Sequence, residues 1–444
     1  MSRRTALLLA GSAAGCSILL LCACIAAIAG YAYWNPVVGA TNRIAYIDDN
    51  NNVQVVDARG ENRLALTADA SDTVPRVYLF PTWSPNSQRV AFVGVSGSSA
   101  TRQATLYIAP AAGGKPVVVF QSATQTPFYL YWSPNSQWIG FLAQNDTQMA
   151  LMLARSDGSG GARQLDTGSP FYWAWSPDSR SLLLHVGGSA RDSDSARLAL
   201  LPRDSAGSAH TLQSAPANFE SPHYSPDGST MLFAATSGSL DDALYLADAQ
   251  GDNPRSIVTY RGAIAFAWSP DGKKIASLVT PENSNLPDLG PIWVSDADGN
   301  NRRQLTHDDA LAFYWSPDSQ QIAYLTIAPS GGTTSQNCAG CRTRALAAPM
   351  PQTPHVSFQW RAVNVATQSI KTIATFAPTD DFLAVLPYFD QYARSLTFWS
   401  PDSRHFVYTQ DEGNGSGSVW VATVTGSAQP RRIGDGTIAV WSWR

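Results

Sequence analysis

The sequence repeats nearly one phrase: "TWSPNSQRVAFVG" at 82–94, "YWSPNSQWIGFLA" at 131–143, "AWSPDSRSLLLHV" at 174–186 and "AWSPDGKKIASLV" at 267–279. The aromatic residue opening each copy falls at Trp83, Trp132, Trp175, Tyr224, Trp268, Trp315 and Trp399, with a truncated copy at Trp441. Successive spacings are 49, 43, 49, 44, 47, 84 and 42 residues. A period of about 40–50 residues is that of one four-stranded unit in a radial array. The gap of 84 contains a single further strand pair (358–376) and no second Ser-Pro-Asp turn, so it reads as one copy with two insertions.

Within a copy, Ser-Pro-Asp-Gly or Ser-Pro-Asx-Ser makes a tight turn: proline presets φ, Asp or Asn tolerates the next position, and Gly or Ser closes it. β-rich runs such as "RVAFVG" and "TLYIAP" follow, then a polar turn and a last strand. No stretch after residue 35 sustains helical periodicity, so the chain reads as all-β. A four-stranded sheet cannot bury both faces alone, and radial stacking of such sheets buries them against one another. The eight aromatic positions are expected to be structural wedges between blades. Residues 43–67 supply three strands of a copy and 437–443 the missing one, so the two ends are expected to pair and close the ring. With the seven internal copies this predicts an eight-bladed β-propeller of four-stranded antiparallel blades, seven or nine being the neighbouring counts.

The Trp-Ser-Pro-Asp-Gly turn, the Ile-Ala-Phe-like strand after it and the distal Arg-Gln-Leu-Thr strand resemble the TolB-type, WD-like propeller repeats. Relatives of that repeat form the propeller domains of prolyl-oligopeptidase-type peptidases. The resemblance covers residues 43–444 and bears on fold, since a shared fold does not carry a shared site. No Gly-x-Ser-x-Gly elbow of a peptidase domain occurs. Some TolB-type propellers are lyases or hydrolases with metal-binding histidines.

Ahead of the repeats, Arg3 and Arg4 precede an almost wholly apolar run from Ala6 to Tyr33. About 20 apolar residues span a bilayer, and flanking arginines favour the cytoplasmic side. The division expected is a membrane anchor or signal segment (1–35), a linker (36–42) and the propeller (43–444). One N-terminal transmembrane helix would leave the propeller extracytoplasmic. A cleaved signal ending at Ala27–Ala29 and a lipid-modified cysteine at 21–24 stay open as alternatives. Cys16, Cys22 and Cys24 lie in the apolar run, while Cys338 and Cys341 are expected to form a local disulfide outside the cytoplasm. A net charge of −4 without a basic run excludes a nucleic-acid footprint.

Most long or irregular segments fall on one face of the expected ring, and variable loops on a rigid scaffold are where binding residues concentrate. The candidate binding residues are Asp380, Asp381, Tyr388, Phe389, Asp390 and Tyr392, beside the Cys338/Cys341 loop. A protein partner in the cell envelope is expected, with a glycan as second candidate. His185, His307 and His355 point to the same face from different blades, while His210, His223 and His405 read as structural. No catalytic set, cofactor or metal site is legible. "DADGNN" (296–301) reads as a hairpin turn, lacking the closing glutamate of a calcium loop. The expectation is a non-catalytic binding or scaffold module, the alternative a propeller hydrolase or lyase acting on a polysaccharide.

Overall fold

The Ser-Pro turns organise every repeat in the same way. In each, the Ser Oγ donates to the Asp or Asn Oδ1 two residues on, from Ser84–Asn86 to Ser400–Asp402, at 2.5–2.8 Å. The same Oγ accepts the backbone N–H five residues on, at 2.9–3.0 Å, which starts the next strand. One hydroxyl thus satisfies turn groups that water would otherwise have to satisfy. The outer Asp-Gly turns work similarly: in "DADGNN" Asp296 accepts from Asn301 and Asp298 from the Asn300 N–H. Those carboxylates are occupied by their own turn.

The protein is seen in a computed structural model that describes residues 41–444, apart from 71–74, 99–100, 147, 206, 219, 239, 281–289, 330–355 and 414. The described residues form an all-β propeller of antiparallel sheets. Six sheets have four strands each and span 76–122, 126–167, 171–211, 223–260, 264–304 and 312–376. The seventh has six strands, in the order His405–Gly413, Ser416–Thr423, Arg431–Trp441, Arg43–Asp48, Val53–Asp57 and Leu64–Ala65.

The expectation of eight separate four-stranded blades is therefore corrected: the described residues form seven blades. Two features merge the last and first repeats. The aromatic segment of the last repeat makes only an isolated bridge, Trp399 with Phe406, instead of an inner strand. The strand Arg431–Trp441 then serves two partners. Its first half pairs with Ser416–Thr423 (Val421 opposite Arg431, Ser418 opposite Asp435). Its second half pairs with Arg43–Asp48 (Asp48 opposite Gly436, Ile44 opposite Trp441). Eight repeats thus share seven sheets. The 84-residue gap contributes one sheet, Ala312–Trp315, Gln321–Ile327, Phe358–Asn364 and Ile370–Phe376.

Among the described residues no helix is long and apolar enough to cross a membrane. The expected N-terminal transmembrane helix, within residues 1–35, lies outside the described residues, as do Cys338, Cys341 and His355.

Adjacent blades are stitched near the axis by the repeated tryptophans. Their indole N–H groups donate to the carbonyl just before the aromatic of the preceding repeat: Trp83 to Val440, Trp132 to Thr82, Trp175 to Tyr131, Trp315 to Ala267 and Trp399 to Tyr314, at 3.1–3.4 Å. All eight marker aromatics are buried or half-buried. A buried indole that finds a carbonyl combines a large apolar area with a satisfied donor.

Candidate functional site: an aromatic funnel and its plug

The segment between Phe376 and Trp399 is the one helical departure among the described residues. It forms a short helix α1 (Asp380–Val385), a 3-10 turn (Leu386–Tyr388) and a short helix α2 (Phe389–Tyr392). This segment plugs the central channel, as its bonds around the ring show. Ser395 O accepts from the Thr82 hydroxyl at 2.8 Å, and Gln391 O from Tyr129 at 3.0 Å. Arg394 donates to Trp173 O at 3.2 Å and to Pro222 O. Asp390 Oδ2 accepts the Ser221 N–H at 2.8 Å. Phe389 packs edge-on against Phe313 and Tyr314, and Tyr392 against Tyr129. Asp381 accepts from Thr437, tying α1 to the closing strand.

Structure thus sorts the six candidate binding residues. Phe389 and Tyr392 are 4% and 8% exposed and belong to the plug's packed side. Asp381 and Asp390 hold the plug to its neighbours through the bonds above. Asp380 is exposed, and Tyr388, at 49%, is the most exposed of the segment's aromatics.

Beyond the plug, on the side of the Ser-Pro turns, a cavity of about 530 Å³ remains. Five repeats line it with the same pair: Trp83 and Pro85, Trp132 and Pro134, Trp268 and Pro270, Trp315 and Pro317, Trp399 and Pro401. Trp443, 40% exposed, is part of the wall, and its indole donates to Trp83 O at 3.2 Å. Thr397 and Ser442 add hydroxyls to the lining, and Arg394 and His223 its titratable polar groups. A concave, mostly apolar space of this size with few polar groups has the make-up of a ligand site.

Both groups are incompletely satisfied. Arg394 Nε and His223 Nε2 are buried, and among the described residues neither has a hydrogen-bond partner. Burial, with the Arg394 charge adding to it, holds the His223 imidazole well below its ordinary pKa, so it is neutral at physiological pH. The two recorded partners of Arg394 are backbone carbonyls, so among the described residues its charge meets no carboxylate at ion-pair distance.

Among the described residues the other histidines do not converge. His185 is buried and bonded to the carbonyls of Glu220 and Gly188 at 2.8 and 3.1 Å. His307 contacts Gln304, His405 stacks near Trp441, and His210 sits on an outer strand. Among the described residues no group of three His, Cys, Asp or Glu side chains could hold a metal ion. Nothing in the sequence marks Arg394, and His223, beside a repeat turn, reads there as structural. Each gains its place from the meeting of the plug with the sheets 171–211 and 223–260.

No protein-family model and no curated protein matches this chain. Solved structures do. TolB from Agrobacterium tumefaciens is 20% identical over 60% of this chain and 88% of its own, with a TM-score of 0.39. The β-propeller domain of the trilobed protease from Pyrococcus furiosus is 12% identical over 78% and 92%, at 0.42. Oligogalacturonate lyase from Vibrio parahaemolyticus is 13% identical over 88% and 98%, at 0.50. The chain's own sheets make it a β-propeller, and TolB and the peptidase propeller domain are among the structures it is similar to. At these identities the likeness speaks to fold alone.

Proposed function

We propose that this TolB-like propeller is a non-catalytic binding module of the cell envelope that holds a protein partner at the funnel on its short-turn face. The observation that carries the reading is the aromatic- and proline-lined cavity of about 530 Å³, stopped by the plug and walled by five tryptophan–proline pairs. The proline rings of the Ser-Pro turns, with half-buried Trp315 and exposed Trp443, present contact area that loses little side-chain entropy on binding, while Trp83, Trp132, Trp268 and Trp399 are buried in the scaffold that holds them. Tyr388, exposed on the plug and outside the cavity lining, is a second candidate contact. We place the propeller outside the cytoplasm, at a cell membrane, on the strength of Arg3, Arg4 and the apolar run from Ala6 to Tyr33.

Cross-linking from native envelopes tests this, with the full-length chain as bait beside a Trp443→Ala version and a Tyr388→Ala version. Proteins retained by the parent and lost from the Trp443 version support the funnel reading. Loss only from the Tyr388 version would move the interface to the plug's outer face. Retention of nothing, together with turnover of a polysaccharide, would replace a binding module with an enzyme.

A further inference from the structure

We propose that the funnel captures the C-terminal end of a polypeptide, its last few residues against the tryptophan–proline wall and its terminal carboxylate on Arg394. This rests on the reading of the chain as a protein-binding module.

The plug makes the funnel a dead end. Backbone and side-chain bonds from Thr82, Tyr129, Trp173, Ser221 and Pro222 close on the segment 390–395, so a polypeptide cannot thread through the ring and must enter by an end. A cavity of about 530 Å³ admits a few residues and no folded element. The charge inside selects which end. Arg394 is half-buried and lines the cavity, and of its five N–H donors two are bonded to carbonyls. A free amino terminus would bring a like charge to this guanidinium. A carboxylate brings the opposite charge and the acceptor lone pairs, the arrangement in which charge-assisted bonds are strongest. The wall of indole and pyrrolidine rings offers few donors, so the residues before the carboxylate should be apolar, aromatic or proline.

The full-length chain is titrated with N-acetylated hexapeptides ending in Pro-Trp, Pro-Phe or Pro-Leu, each as free acid and as amide, and followed by tryptophan fluorescence. The free acids should bind, and the amides should be weaker by about tenfold or more. Raising salt from about 50 to about 500 mM should narrow that difference. Arg394→Gln should abolish the preference for acid over amide, and Trp443→Ala should weaken both forms alike. The acid–amide comparison on the unsubstituted chain decides the matter even where Arg394→Gln fails to fold. Equal affinity for acid and amide overturns the proposal, as does binding of glucuronate with no binding of any peptide. If the peptides fail while envelope proteins are still lost from the Trp443 bait, the end-capture inference falls and the binding-module reading stands.

Discussion

The fourth residue of each Ser-Pro turn shows how one side chain serves two repeats. It is left-handed throughout, with φ between 58° and 74° at Ser87, Ser136, Ser179, Gly228, Gly272, Ser319 and Ser403. Glycine adopts that conformation freely, whereas serine is strained there by about 1 kcal/mol. Serine offsets the strain by accepting a turn N–H from the neighbouring repeat: Asn86 to Ser136, Asn135 to Ser179, Asp271 to Ser319 and Asp318 to Ser403, at 3.0–3.1 Å. Ser319→Ala keeps the strain and loses the bond, so it should cost about 1–2 kcal/mol in urea unfolding. Ser319→Gly should cost less, because it relieves the strain. A glycine variant weaker than the alanine one would show that the bond is not what retains serine.

Buried histidines set the acid limit. Burial holds His185 and His223 below the ordinary 6.5. The unfolded chain takes up protons there near pH 6.5 and the folded chain does not, so stability is full above that pH and lost as it falls. Tm should decline between about pH 7.5 and 5.5, and His223→Gln should flatten part of that decline. A second loss should begin as pH falls below 3.8. The Ser176 hydroxyl and neighbouring backbone N–H groups lower the Asp178 carboxyl, and Ser400 does the same for Asp402 against the effect of its burial. An unchanged Tm from pH 7.5 to 5.5 would contradict the assignment of neutral buried imidazoles.

At the scale of elements, the strand Arg431–Trp441 and the plug decide the architecture. Gly436 lies where that strand passes from one partner to the other. A Cβ there would stand 2.2 Å from Ile47 O and 2.9 Å from the Tyr46 ring. Gly436→Ala should therefore open the junction and cost about 2 kcal/mol or more, read as a lower denaturation midpoint with an unchanged slope. Phe389→Ala empties a site walled by Phe313 and Tyr314, for which about 3–5 kcal/mol is the usual cost. A loss under about 1 kcal/mol would mean that the plug is not part of the cooperative core. The strands and turns of these elements were legible in the sequence, because alternation and Ser-Pro chemistry are local. The plug was not, because "DDFLAVLPYFDQYAR" carries no signal of what it packs against.

For the whole ring, the stitching is uneven. Tyr224 replaces the repeated tryptophan, Gly228 replaces the bonding serine, and Trp268 Nε1 has no partner among the described residues. Both seams of the sheet 223–260 therefore lack the indole bond found elsewhere. Arg394 bonds to Trp173 O and Pro222 O, one residue before the carbonyls those indoles would have used. The plug thus supplies by one guanidinium what the repeat omits twice. Hydrogen exchange should find Arg394→Gln opening the amides around 172–175 and 222–224 faster than in the parent, with the sheet 126–167 little changed. Uniform exchange across the ring would remove this role.

The sequence by itself determined the repeat, its turns, the strand pattern and the all-β class, because each rests on interactions within about five residues or on a period that stacking must honour. It also carried the TolB-like resemblance of fold. Only the tertiary structure decided that eight repeats share seven sheets, since that depends on which partners one long strand finds across the ring. The plug, the funnel it stops, and the meeting of Arg394 with His223 depend on contacts spanning more than 150 residues of chain, for which no local pattern codes.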